Sequence, residues 1–291
     1  GPGASSIKID GSSTVYPISE AVAEEFLRGP RPDVRVTVGY SGTGGGMKKF
    51  TAGEIDICDA SRAIKEKETA ALEAAGVPYI ELSAAFDGIA VVVNPQNDWV
   101  DCLTVAQLAA MWRPDEPAQK WSDVEPDWPD ERIRLYGPGT DSGTFDYFTK
   151  AIVGEEKACR SDFAASEDDN VLVTGIANDK YALGYFGFAY YDENRDTLKV
   201  LGVRQENGDC VKPEISTIRS NEYRPLSRPL YLYVRHSLLE RPEGVEFVQF
   251  YLDESAALAT EVGYVPVSDE VDAENRRRLA AAIPAQPAVL E

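Results

Sequence analysis

Histidine is almost missing from this sequence: His236 is the only one among 291 residues. Chemistry that leans on imidazole, whether metal ligation or activation of a nucleophile, therefore has one ring to draw on. Long apolar runs are missing too. The richest, Ile89-Ala90-Val91-Val92-Val93, falls far short of the ~18 residues of a membrane-spanning helix and reads as a buried strand. Cysteine is sparse, and Cys58, Cys102, Cys159 and Cys210 include no C-x-x-C pair, which argues against a zinc cluster or a thioredoxin motif. One or two disulfides in any pairing, or four buried thiols, stay open at this point. Basic charge is the remaining deficit, with 29 Lys and Arg against 49 Asp and Glu for a formal charge of −20. Nucleic acid or an anionic membrane surface would meet repulsion almost everywhere, so no nucleic-acid partner is expected. The chain carries no low-complexity tract and no short-period repeat.

What is present is an ordinary globular composition, 43% hydrophobic, able to fill one large or two medium cores. The opening Gly1-Pro2-Gly3-Ala4-Ser5-Ser6, without an initiator Met, reads as the remnant of a cleaved tag, any signal peptide having been removed. Short β-branched runs alternate with amphipathic stretches, the pattern of an α/β protein with a largely parallel sheet. Strands are expected over residues 7–10, 34–40, 54–58, 79–83 and 89–93, and helices over 16–27, 48–51 and 66–75. Residues 94–130, rich in Pro, Trp and acids around a helix at 105–111, mark a crossover into a second α/β set. That set has strands at 133–136, 183–188 and 198–203 and helices at 145–152 and 171–177. The final third, with a strand at 230–234 and helices near 245–252 and 270–282, has no room for its own domain and returns to the first lobe.

Three times a strand ends in Ser, Thr and Gly and a helix follows at once. The loops are Gly11-Ser12-Ser13-Thr14, Ser41-Gly42-Thr43-Gly44-Gly45-Gly46 and Gly137-Pro138-Gly139-Thr140-Asp141-Ser142-Gly143-Thr144. A helix start offers unpaired N–H groups and the positive end of the macrodipole; glycine lets a ligand approach, and hydroxyls add neutral donors. Each loop is thus a candidate anion site, the plainer reading being that its Ser and Thr only cap helices. Two loops lie in the first half and one in the second, so a shared ligand is expected in a cleft between two lobes. In a chain at −20, oriented dipoles and one guanidinium must do the binding at short range, and Arg62, after the third strand, is best placed.

Enzyme readings are weaker. Asp141-Ser142-Gly143 resembles a serine nucleophile loop, yet the only base of the right kind, His236, sits at a polar strand end. The glycine loop matches neither Walker A nor G-x-G-x-x-G. Glu167-Asp168-Asp169 reads as a solvated helix cap rather than a metal site, so no metal and no cofactor are expected.

As an ordered set these motifs resemble the phosphate-binding proteins of bacterial phosphate ABC transporters, in the branch of cyanobacteria and environmental bacteria. The stretches that carry the resemblance are Asp10-Gly11-Ser12-Ser13-Thr14-Val15-Tyr16-Pro17, Tyr40 through Gly46, Asp56-Ile57-Cys58-Asp59-Ala60-Ser61-Arg62, Phe86-Asp87-Gly88 with the following strand, residues 137–145 and Ala182-Leu183-Gly184-Tyr185-Phe186-Gly187. The resemblance implies a type II periplasmic-binding-protein fold, two α/β lobes joined by a two-strand hinge with phosphate in the cleft. Lobe I would hold residues 1–88 and 221–291, and lobe II residues 89–220. It implies high-affinity phosphate capture by a monomer outside the cytoplasmic membrane, free or lipid-anchored in its native form, and delivery to an ABC permease without catalysis.

Residue by residue, Ser13, Thr14, Ser41, Thr43, Ser142, Gly143 and Thr144 would contact phosphate, with Ser12, Gly42, Asp59, Ser61 and Thr140 flanking them. One branch of the family has an arginine where Pro138 stands here, so Arg62 would take over its charge. A carboxylate accepting the phosphate proton would favour phosphate over sulfate; Asp141, between Thr140 and Ser142, and Asp59 are the candidates. Another oxyanion such as sulfate or molybdate, or a hydrolase using Ser142, are the alternatives. An exported protein can oxidise its thiols, which implies a disulfide, expected between Cys102 and Cys159.

Overall fold

The computed structural model describes residues 5–284, so of the segment Gly1 to Ser6 expected to be a tag remnant the first four residues lie outside them, and Ser6 opens the first strand. Strand β1 (Ser6–Gly11) alternates exposed Lys8 with buried Ile7 and Ile9. Helix α1 (Tyr16–Arg28) follows, started by Pro17 in its first turn and burying Ile18, Val22 and Phe26 at helical spacing. Then come β2 (Arg35–Val38), α2 (Thr43–Ala52), the wholly buried β3 (Ile57–Ala60), α3 (Glu66–Ala74) and β4 (Tyr79–Val93). Both β2 and β3 run parallel to β1, on its two sides, giving the order β2-β1-β3.

Three elements of this stretch differ from the sequence expectation. Helix α2 begins at Thr43, not residue 48, because its glycines are needed for close packing rather than for a loop: a Cβ on Gly46 would lie 2.6 Å from Gly11 Cα and 2.9 Å from Cys58 Sγ. Strand β3 falls at Ile57–Ala60 instead of 54–58, since Gly53 ends α2 at φ 79° and the Asp56 amide turns back to the Lys8 carbonyl. The two strands expected at 79–83 and 89–93 are one, β4; the Asp-Gly between them makes no turn, because Asp87 is buried against Arg228, 3.5 Å away.

By contacts the chain divides into two compact units. Among the described residues, one holds residues 5–86, Pro229–Val262 and 266–284, and the other Asp87–Arg228 with Gly263–Val265. The second unit contains β5 (Cys102–Thr104), α4 (Val105–Trp112), α5 (Trp121–Val124), β6 (Arg134–Gly137), α6 (Gly143–Ile152), β7 (Ala164–Ala165) and α7 (Asp169–Ala177). It continues with β8 (Ala182–Gly187), α8 (Phe188–Glu193), β9 (Lys199–Val200), β10 (Gly202–Arg204), β11 (Cys210–Val211) and α9 (Ile215–Arg219). Strand β6 lies between β8 and β7, parallel to both, while β8 pairs antiparallel with the end of β4. The single strand expected at 198–203 is split, since Val200 joins β4 and Gly202 joins β5 in a separate sheet. Its core stacks Phe148 on Tyr185 at 3.7 Å, with Trp112 edge-on to both.

The disulfide joins Cys102 to Cys210, not to Cys159. The reason is register: β10 pairs with β5 on one side and β11 on the other, so Cys102 opposite Gly202 and Cys210 opposite Arg204 come within 6.1 Å between Cα atoms. Cys159 stays a free thiol beside Arg160, which is itself fixed to the carbonyls of Met111 and Ala118.

The chain returns through β12 (Ser227–Arg235), which pairs antiparallel with β3, then α10 (His236–Leu239), α11 (Pro242–Glu261) and α12 (Asp269–Ala282). Helix α11 packs on α1 through Phe26 and Phe247, and buried Asn275 of α12 exchanges two hydrogen bonds with the Ser83 backbone. Among the described residues no helix is long and apolar enough to cross a membrane.

Candidate functional site

In the first unit β1 has parallel neighbours on both sides, so the connections leaving the carboxyl ends of its sheet diverge to opposite sides. Such a switch point leaves a crevice outside the strand ends. Three loops meet there. The Ser12 amide donates to the Asp59 carbonyl (2.9 Å), the Ser41 amide to the Gly11 carbonyl (3.0 Å), and the Ser61 amide to Thr43 Oγ1 (3.1 Å). Thr43 and Ser61 hydroxyls are 3.2 Å apart. The structure thus brings together Ser12, Ser13, Thr14, Ser41, Gly42, Thr43, Ser61 and Arg62.

Capping does not account for these residues. The N-caps of α1 and α2 are Val15 and Gly42, neither with a side-chain cap bond. Ser13 is exposed and its hydroxyl makes no hydrogen bond among the described residues, while Ser12 and Thr14 are buried, the Thr14 amide donating to Ser12 Oγ at 3.1 Å.

The charged groups are arranged in ways the sequence does not announce. Arg62 forms a two-pronged pair with Glu68 at 2.9 and 2.8 Å, which raises the affinity of its guanidinium for its proton and lowers the Glu68 carboxyl. With Gly44, Met47, Lys48 and Lys67 it also lines an open cavity of about 690 Å³, so the guanidinium remains accessible. Glu68 could have been noticed as the third residue after Lys65, a capping position, and it accepts the Lys65 amide at 2.9 Å. Asp59 is enclosed: one oxygen accepts from Ser19 Oγ (3.0 Å), which also meets Tyr251 Oη (2.9 Å), and the other has no partner. Burial holds its carboxyl well above the usual range. Asp10, at the start of a motif but not singled out from sequence, accepts Ser41 Oγ on one oxygen and Lys49 Nζ on the other.

In the second unit β6 is likewise flanked by parallel strands, and the loop after it holds Thr140, Asp141, Ser142, Gly143 and Thr144. Here the capping reading applies to one residue: Ser142 is the N-cap of α6 and accepts the Thr144 amide at 3.1 Å. Thr140 and Asp141 are exposed, and Lys157 steadies the loop by donating to the Thr140 carbonyl (2.9 Å) while paired with Asp146. His236 belongs to the first unit, so the unit that carries Ser142 contains no histidine.

Residues 1–255 match the sequence model described as a PBP superfamily domain. The chain is 49% identical over 268 residues to Protein SphX of a Synechocystis species, covering 91% of this chain and 79% of that protein. It is 38% identical over 282 residues to the phosphate-binding protein PstS of Staphylococcus saprophyticus, covering 96% and 86%. Among solved structures, a possible phosphate binding protein from Planctomyces limnophilus superposes with a TM-score of 0.91 at 48% identity, over 97% of this chain and 99% of the other.

Proposed function

The chain belongs to the PBP superfamily, with its type II fold, and on that footing we propose that it binds inorganic phosphate outside the cytoplasmic membrane and delivers it, as a monomer, to the permease of an ABC transporter. The observation that carries this reading is a repeated one. In each unit a strand between two parallel neighbours ends in a loop of Ser, Thr and Gly that leads to a helix start. Neutral hydroxyls and helix-start amides suit an oxyanion on a chain whose overall field repels anions. The relatives named above as phosphate-binding proteins support phosphate over sulfate or molybdate as that anion.

The contacts assigned to phosphate are Ser13, Thr14, Ser41, Thr43 and Arg62 from the first unit and Asp141, Ser142, Gly143 and Thr144 from the second. Arg62 keeps the planar fork that an oxyanion needs, and phosphate would compete with Glu68 for it. Catalysis is not part of the proposal: Ser142 caps a helix, and its unit lacks the imidazole that a serine nucleophile needs.

Calorimetric titration of phosphate-stripped protein with phosphate and then sulfate at neutral pH tests the reading. One-to-one phosphate binding with sulfate at least a hundredfold weaker is expected. Equal affinities, or no phosphate heat, would refute it.

A further inference from the structure

Phosphate and sulfate have the same shape, and near neutral pH they differ in that phosphate still carries a proton to donate. A site that tells them apart must offer an acceptor where a proton-free oxygen would be repelled. Of the carboxylates nearest the loops, Asp59 is sealed against Ser19 and Tyr251, and Asp141 is exposed and accepts no loop hydroxyl among the described residues. Asp10 is neither. It stands at the end of β1, mostly covered, with both oxygens engaged: Oδ1 accepts the Ser41 hydroxyl at 2.5 Å and Oδ2 accepts Lys49 Nζ at 2.9 Å.

A serine hydroxyl has one proton and two lone pairs. An ionised carboxylate can only accept, so the Ser41 proton is committed to Asp10 and its oxygen has only lone pairs left for a ligand. We propose that Asp10 and Ser41 form a proton-reading pair in which Ser41 accepts the phosphate proton rather than donating to the anion, so that sulfate is rejected there. This rests on the phosphate-binding reading and deepens it.

The surroundings are built to hold the pair. A Cβ on Gly39 would lie 2.7 Å from Asp10 Oδ2, and one on Gly45 would lie 2.8 Å from Ser41 Oγ, so the backbone leaves room on both sides. The Ser41 amide is tied to the Gly11 carbonyl, which fixes the residue next to the β1 end that carries Asp10. Lys49 reaches Asp10 from α2 and occupies Oδ2 at 2.9 Å, which leaves Oδ1 to the Ser41 hydroxyl.

The test is the ratio of phosphate to sulfate affinity, measured by calorimetry on the full chain for the wild type, Asp10→Ala, Ser41→Ala, the double variant and Asp141→Asn. In Asp10→Ala the hydroxyl proton is released toward the ligand, so the ratio is expected to fall at least tenfold. Because the two residues act together, the double variant should fall no further than the worse single one. A ratio that falls in Asp141→Asn and not in Asp10→Ala would place the acceptor at Asp141 and overturn the pair. Asp10→Asn replaces Asp10→Ala if the latter does not fold: Lys49, a donor, takes the amide oxygen, the amide NH2 then faces Ser41, and the ratio must fall as well. Phosphate binding by the wild type with an unchanged ratio in the Asp10 variants overturns the pair alone; absence of phosphate binding by the wild type overturns the pair and the functional reading together.

Discussion

Cutting the Cys102–Cys210 bridge should destabilise the second unit far more than the first. The bridge spans 108 residues of sequence, and closing a loop of that length in the unfolded chain corresponds to about 4.8 kcal/mol at 25 °C by chain entropy. Both cysteines and the intervening chain lie within one unit, so the effect should be local to it. For a domain of this size such a loss lowers Tm on the order of 10 °C. Scanning calorimetry of the oxidised protein against the Cys102→Ser, Cys210→Ser double variant, with a reductant-treated wild type beside them, measures it. Alkylation in denaturant without reductant should label Cys58 and Cys159 alone. Four labelled thiols, or a variant whose transitions lie within about 2 °C of the oxidised wild type, would refute the reasoning.

The other predictions concern the buried carboxyl and two serines. Asp59 keeps its proton in the folded state above the pH at which it ionises when unfolded, so its contribution to stability is fully present below about pH 4 and declines as pH rises toward the raised folded value. Urea unfolding between pH 5 and pH 8 should therefore show a smaller loss for Asp59→Asn than for the wild type, and parallel losses would contradict it. Ser142→Ala removes a helix cap and should cost about 1 kcal/mol of stability as well as weakening phosphate binding. Ser13→Ala, at an exposed hydroxyl with no internal bond among the described residues, should weaken phosphate binding with stability unchanged; a drop in Tm with unaltered binding would count against its place in the site.

The fold class was legible because its signals are local. Ile7 and Ile9 alternate with polar residues, and Ile18, Val22 and Phe26 repeat at helical spacing, so strand, loop and helix could be read in order. Three features hid where tertiary packing overrides local preference. Gly44, Gly45 and Gly46 are poor helix formers, yet they open α2 because Gly46 must sit on Gly11. Asp87-Gly88 has the chemistry of a turn but continues a strand, since Arg228, far away in sequence, supplies the countercharge. The cysteine pairing depends on which strands neighbour β10, and sequence spacing carries no trace of that. At the candidate site the hydroxyl and glycine residues were visible as a recurrence, while Glu68 and Asp10 were not, because what matters about each is the partner it holds.

The loops of the first unit are hydrogen-bonded to one another by backbone amides, Ser12 to the Asp59 carbonyl, Ser41 to the Gly11 carbonyl and Ser61 to the Thr43 hydroxyl. Their order is therefore a product of folding, and a ligand arriving there has little chain entropy to remove. Affinity at such a site is limited by how well the anion replaces its water shell rather than by the cost of organising the protein. The amides of Ser12, Ser41 and Ser61 should accordingly exchange slowly with solvent deuterium before any phosphate is added.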